Sequence, residues 1–300
     1  MTHKKHFKKI LFLGLMLSVL LTIKLNAQSQ NSTLNAKTRL KSSLNAYSFN
    51  EPLSNGSMDV FDLMAYCAAI GFDAVDITAY YFDGYPNVPP NDYLYKVKQQ
   101  AFLLGLDISG TGVRTNFTSP NSEIRNKSIQ LVKSWVDAAE KMGIPIIRIF
   151  AGEALPNGFT HDEVTSYMID AIKACVAYGK QHGVIIGIQN HWDFIKTSDQ
   201  VIDIIKRVDS EWFGLILDIG SFKSGNPYTH IEACIPYAVS WQIKEYVYVN
   251  GIETKTDLNK LMSIIKPSGY QGYIPIETLG SGDPKIKVKK LFKDVLSALN

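Results

Sequence analysis

The chain has 300 residues, 46% of them hydrophobic, with 31 Lys and Arg against 28 Asp and Glu. That length holds one large domain or two small ones, and the composition excludes extended disorder past the N-terminal region. The first 27 residues carry five lysines and no acid, so the rest, with 26 basic against 28 acidic side chains, is at about −2 and offers no electrostatic case for nucleic acid.

The chain begins with a basic segment, MTHKKHFKK, followed by the 14-residue apolar run ILFLGLMLSVLLTI and a cleavage-like KLNAQS. A membrane-spanning helix needs roughly 20 apolar residues. Residues 1–27 therefore read as a signal peptide cleaved after Ala27, with the protein exported to the periplasm or beyond and no stable membrane insertion after cleavage. An uncleaved anchor is the alternative. Residues 28–41 read as a polar linker and 42–300 as the folded domain.

Eight strand-like runs follow: SLNAYS (43–48), AVDIT (74–78), LDISGT (106–111), IIRIF (146–150), VIIGIQ (184–189), GLILD (214–218), VSWQIK (239–244) and YIPIE (273–277). Amphipathic stretches alternate with them near 57–70, 91–104, 120–142, 161–182, 197–207, 228–236, 256–266 and 284–298. Ser119-Pro120, Thr160 and Thr197 signal helix starts, and Gly71, Gly105, Gly143 and Gly183 signal stops. Eight βα units predict a single-domain α/β fold, a (β/α)8 TIM barrel. A doubly wound sheet is disfavoured because no GxGxxG turn follows the first strand. The three cysteines, Cys67, Cys175 and Cys234, are odd in number and form no CxxC, so they read as small buried hydrophobes.

Side chains alternate along a strand, so a barrel strand has an outer and a lumen phase. The outer phase is plain: Leu44 and Ala46, Val75 and Ile77, Ile147 and Ile149, Ile186 and Ile188, Leu215 and Leu217, Ile274 and Ile276. The other carries Asn45, Tyr47, Asp76, Thr78, Arg148, Gln189, His191, Asp218, Gln242, Lys244 and Glu277, gathered at the C-terminal strand ends. Barrel enzymes build their sites there. A purely structural polar network at the barrel top is the alternative reading.

Gln189, Asp218, Gln242 and Glu277 come from four successive strands in the lumen phase. Two carboxylates and two amide oxygens can surround a hard divalent cation such as Mg2+, Mn2+ or Ca2+. His191 is the one histidine near the set; His161, His182 and His230 fall in helix or loop contexts. Tyr80, Tyr81, Phe82 and Tyr85 after the second strand, and Trp192 after the fifth, suit sugar-ring faces or loop packing.

IQNHWDFIKTSDQV, LDIGSF, WQIKE and IPIETLG, in that order, resemble the sugar phosphate isomerase/epimerase family of xylose isomerase-like barrels, over about residues 42–298. DAVDITAYYFDGYPNVP resembles exported members of it. The resemblance implies a metal held by Glu, Asp, His and Glu from strands 5, 6, 7 and 8, with Mn2+ or Mg2+ the ions expected. Asp218 and Glu277 match, but Gln189 stands where Glu is usual and Gln242 where His is usual. It also implies paired glutamate bases, and an amide cannot be one. Glu277 remains, with His191, then Lys244, then Glu153 as candidate partners. Arg148, Asn45, Tyr47, Asp76 and Trp192 are the substrate-binding candidates.

The expected function is an exported, metal-assisted isomerase or epimerase that abstracts a proton next to a sugar carbonyl. A keto-sugar lyase or hydratase on the same site is the first alternative, and a degenerate sugar-binding barrel the second. The partner expected is a small carbohydrate. The sequence carries no sign of the oligomeric state.

Overall fold

The computed structural model describes residues 39–299. The signal-peptide and most of the linker assignments therefore lie outside the described residues. The barrel opens earlier than expected, because β1 spans Leu40–Asn45 and takes in the end of the supposed linker.

The other barrel strands are β2 (Ala74–Asp76), β3 (Asp107–Gly112), β4 (Ile146–Ile149), β5 (Ile185–Gln189), β6 (Phe213–Asp218), β7 (Ala238–Lys244) and, last in the chain, Gly272–Glu277. All pair in parallel, and the final strand closes the barrel between β1 and β7. The (β/α)8 reading is correct. Between β7 and the final strand lies an unanticipated antiparallel pair, β8 (Tyr246–Val249) and β9 (Ile252–Lys255), which makes the final strand β10. Its turn is Asn250-Gly251, both at positive φ, the pairing a tight hairpin requires.

The helices are α1 (Asn50–Ser54), α2 (Val60–Ile70), α3 (Asn91–Leu103), α4 (Ser122–Met142), α5 (His161–Gln181), α6 (Ser198–Val208), α7 (Pro227–Cys234), α8 (Leu258–Ile265) and α9 (Pro284–Leu299). Thr160 and Thr197 cap α5 and α6 through full capping boxes with Glu163 and Gln200. The start of α4 differs from expectation. Asn121 caps it, its side chain accepting from Glu123 N–H, rather than Ser119-Pro120.

The outer-phase Leu44, Val75, Ile77, Ile147, Ile149, Ile186, Ile188, Leu215, Leu217, Ile274 and Ile276 are all buried in one core. Each contributes about 1.5–3 kcal/mol through burial, so this phase anchors the register and turns the polar phase into the lumen. All three cysteines are buried and free. Among the described residues, no helix is long and apolar enough to cross a membrane.

The first strand ends sooner than its sequence suggests. Asn45 Oδ1 accepts the Tyr47 N–H at 2.9 Å and bends the chain into a 3-10 turn over Ala46–Phe49. Tyr47 thus leaves the strand and stands at the barrel mouth.

Candidate active site

A cavity of about 740 Å³ opens at the C-terminal end of the barrel. Gln189, His191, Gln242, Lys244 and Glu277 line it, with Arg148, Tyr47, Tyr80 and Trp192 around them. Asp218 lies at its floor, fully buried.

Strand pairing brings these side chains together. Asp218 registers with Gln242 across β6 and β7, and Glu277 with Lys244 across β10 and β7. Asn190 locks the end of β5 to β6: its Nδ2 donates to Asp218 O at 2.9 Å, and its Oδ1 accepts the Asp218 N–H at 2.8 Å. Of the amides and histidine that end β5, Gln189 and His191 face the cavity and Asn190 holds the sheet.

The Asp218 carboxylate accepts four hydrogen bonds. Oδ1 takes the Gly220 N–H at 2.9 Å. Oδ2 takes Gln189 Nε2 at 2.8 Å, Ser221 Oγ at 2.9 Å and Lys244 Nζ at 2.8 Å. Burial opposes its ionisation, but the Lys244 ammonium and the Ser221 and Gln189 bonds hold the carboxyl below the usual range. Gln189 is equally committed. Its Oε1 accepts from Arg148 Nη1 at 2.8 Å, and its Nε2 donates to both Asp218 and Gln242 Oε1.

The Gln242 amide sits between the carboxylates. Turned half about, it donates to Glu277 Oε2 and Asp218 Oδ2, each at 3.2 Å, and accepts from Asn45 Nδ2 at 3.3 Å. That rotation would set its nitrogen against Gln189 Nε2 at 2.7 Å. The orientation that accepts from Gln189 at 2.7 Å agrees with the bonds that Gln189 makes to Arg148 and Asp218, but it sets Gln242 Oε1 3.2 Å from both Glu277 Oε2 and Asp218 Oδ2, and Nε2 3.3 Å from Asn45 Nδ2.

Glu277 is 5% exposed and faces Lys244 Nζ at 3.7 Å. Burial raises its pKa, and the Lys244 charge only partly offsets this. Lys244 is driven the other way: burial lowers its pKa, but Asp218 and Glu277 together raise it, so it stays an ammonium. The backbone makes room for both cations. A Cβ at Gly112 would lie 2.5 Å from Arg148 Nε, and one at Gly220 would lie 2.8 Å from Lys244 Cδ.

The remaining candidates divide. His191 Nδ1 bonds Asp193 Oδ2 at 2.7 Å, and its ring edge meets Phe150 at 5.3 Å between centroids. Asn45 and Asp76 lie beneath the cavity rather than on its wall, 3.5 Å apart from Nδ2 to Oδ2. Asp76 is pushed up to about 6 by burial, against the pull of Arg148 and Asn45. Glu153 is exposed and does not line the cavity. Phe82 is core, packed edge-on to Trp135. Sequence reasoning missed Ser221, which bonds Asp218, and the hairpin wall, where Lys223 Nζ lies 4.0 Å over the Trp192 ring and 5.0 Å from that of Tyr248. The Asn-Gly pair between alternating residues was the signal for that wall.

This barrel, with its polar ring at the strand ends, is that of a recognised class. Residues 64–299 match the xylose isomerase-like TIM barrel family, and the chain belongs to it. Among solved structures it is similar to D-psicose 3-epimerase from Clostridium cellulolyticum H10, with a TM-score of 0.71, 14% identity, and coverage of 87% of this chain and 99% of that one. It is similar to 3-keto-D-glucoside 4-epimerase, YcjR, from E. coli (TM-score 0.69, 14% identity, 87% and 100% covered). A third is the IOLI protein with a bound zinc atom (TM-score 0.67, 16% identity, 87% and 99% covered).

The ring does not fit a divalent ion as its side chains stand. Asp218 Oδ2 already takes three donors, more than the two lone pairs of one carboxylate oxygen, and Oδ1 takes the Gly220 N–H. Gln189 gives its oxygen to Arg148 and turns its NH2 toward Asp218, the reverse of what a ligand needs. Among the described residues, no group of three or more His, Cys, Asp or Glu is placed to hold a metal.

Proposed function

We propose that this protein is a carbohydrate isomerase or epimerase that moves a proton next to a sugar carbonyl. The observation that carries it is Glu277, a buried carboxylate facing the cavity beside two fixed cations, Lys244 and Arg148. Glu277 takes the proton from the carbon adjacent to the carbonyl. The resulting enediolate oxygen is stabilised by Lys244 Nζ and by the Arg148 guanidinium, both of which line the cavity. The raised pKa of Glu277 suits it to give the proton back to the neighbouring carbon for isomerisation, as the proton of the adjacent hydroxyl passes to the former carbonyl oxygen. Epimerisation needs a donor on the opposite face, and His191, oriented by Asp193, is the group available.

The size of the cavity favours a second reading of the same first step. About 740 Å³, walled by Trp192, Tyr248 and Tyr80, accommodates more than one sugar ring. With a glycosidic oxygen β to the carbonyl, the enediolate would expel that oxygen, and His191 would protonate it. The N-terminal segment supports export, which favours a free sugar or glycoside over a phosphorylated one.

The test is deuterium incorporation from D2O into a panel of ketohexoses and keto-glucosides, followed by NMR. Exchange at the carbon next to the carbonyl, lost in Glu277→Gln, is the expected result. Failure of every panel member to exchange, with tight binding retained, would transfer the protein to the binding-only class.

A further inference from the structure

The disagreement between the family's metal chemistry and this ring has a specific form. Three changes act together. Gln189 replaces an anionic ligand by a donor, and its NH2 points at Asp218 Oδ2 and Gln242 Oε1. Gln242 replaces the histidine that the family places on this strand. Lys244, two residues on, brings its ammonium between Asp218 (2.8 Å) and Glu277 (3.7 Å), the two carboxylates that would otherwise share a metal.

We propose that Lys244 Nζ serves as the built-in cation of this site, so that the protein works without a bound divalent metal. The inference rests on the proton-transfer reading above for what the cation does, but not for where it sits. The charge balance supports it. The two buried carboxylates face the Lys244 ammonium, with the Arg148 guanidinium held next to them through Gln189. A divalent ion entering this space would meet two fixed positive charges in a low-dielectric pocket. It would also have to displace Lys244 from Asp218, leaving a 14%-exposed ammonium to be rehoused. Gly220 shows that the lysine stem is accommodated here, since a Cβ would lie 2.8 Å from Lys244 Cδ and 3.5 Å from Asp218 Oδ1. Gln189 follows the same logic. A glutamate there would set a second carboxylate 2.8 Å from Asp218 Oδ2, tolerable with a metal between them and repulsive without one.

Chemically, an ammonium can do part of what a metal does. It neutralises developing enolate charge and donates hydrogen bonds to it, but as a single charge it binds one oxygen at a time. Lys244 would therefore contact the carbonyl oxygen, while Arg148 holds a neighbouring one.

The experiment titrates Mn2+ and Zn2+ by calorimetry into chelator-treated wild type and into Gln189→Glu/Lys244→Met, with elemental analysis of both as purified. Wild type should carry no stoichiometric metal and give no saturable heat. The double variant adds a carboxylate and removes an ammonium, and should bind one Mn2+ per chain with saturable heat, on the order of 100-fold or more tighter than the detection limit set by wild type, with a metal-dependent rise in Tm. A stoichiometric ion in wild type, or micromolar Mn2+ affinity there, overturns the proposal, and does so even if the variant fails to fold. Single Lys244→Met supplies the control, and equal metal affinity in it and wild type would also count against the idea. Activity separates the two readings. Deuterium exchange that persists in EDTA supports both. Exchange abolished by EDTA and restored by Mn2+ keeps the isomerase and sinks the built-in cation. No exchange and no metal binding leaves the cation in place and removes the isomerase.

Discussion

Gln189 Nε2 donates to Asp218 Oδ2 across 2.8 Å at the floor of the barrel mouth, and Arg148 fixes the orientation by donating to Gln189 Oε1. The amide is thus a one-way connector between a cation and an anion. Gln189→Glu keeps the Arg148 end, now as an ion pair, but loses the Nε2 donations to Asp218 and Gln242 and faces Asp218 with like charge. Removing one partner of a buried charged network costs about 3–5 kcal/mol, and the new Arg148 pair returns part of it. We expect metal-free Gln189→Glu to be destabilised by about 2 kcal/mol in urea denaturation at pH 7. An unchanged midpoint would mean that the Gln189–Asp218 bond is not made in solution.

Asp76 predicts a pH dependence. Its carboxyl is raised to about 6 in the folded protein, chiefly by burial, and Oδ1 has no partner. A raised carboxyl pKa means that the folded state binds the proton more tightly than the unfolded chain. Its contribution is therefore fully present below about pH 4, the unfolded value, and is lost as pH rises to about 6. The loss amounts to about 2–3 kcal/mol. Asp218, with its lowered pKa, contributes in the opposite sense at more acid pH. Asp76→Asn should flatten the stability profile between pH 4 and 6, read by denaturant midpoints at several pH values. A profile with the wild-type slope would show that Asp76 is not the group responsible.

The outer phase of the strands was legible because burial against helices admits only plain aliphatic side chains, so Ile147, Ile186 and Leu215 declare themselves. The lumen ring was legible from the same alternation, which placed Gln189, Asp218, Gln242 and Glu277 together. Their roles were not. Whether an amide presents its oxygen or its nitrogen depends on neighbours from other strands, and Arg148 and Lys244 decide it here. Lys244 was read as a candidate second base, since nothing local reveals that its stem passes Gly220 to reach Asp218. Tyr47 was misplaced on a strand because the Asn45 side-chain bond that ends β1 looks like ordinary alternation.

Glu277→Gln keeps shape and volume while removing basicity. General-base loss of this kind typically costs 10²–10⁴-fold. The variant should lose deuterium exchange by about that factor while its Tm stays at or above wild type, because a neutral amide relieves the burial that raises the Glu277 pKa. Retained exchange would mean that another group takes the proton, and Glu277→Gln/His191→Gln would then identify His191.

Trp192 tests the wall of the cavity without touching its chemistry. The ring is 45% exposed, lines the mouth and has Lys223 over one face, so its removal leaves the core intact. If a sugar ring packs on it, Trp192→Ala forfeits roughly 0.5–1.5 kcal/mol of aromatic contact, about a tenfold rise in KM at the upper end. Because that contact is the same in ground and transition states, kcat should hold. The effect should be larger for a two-ring keto-glucoside than for a free ketohexose if the second ring is the one that packs on Trp192. Equal effects on both, or a fall in kcat with KM unchanged, would place the sugar elsewhere in the cavity. The comparison is made by steady-state kinetics on both substrate classes, with circular dichroism to confirm that the variant is folded.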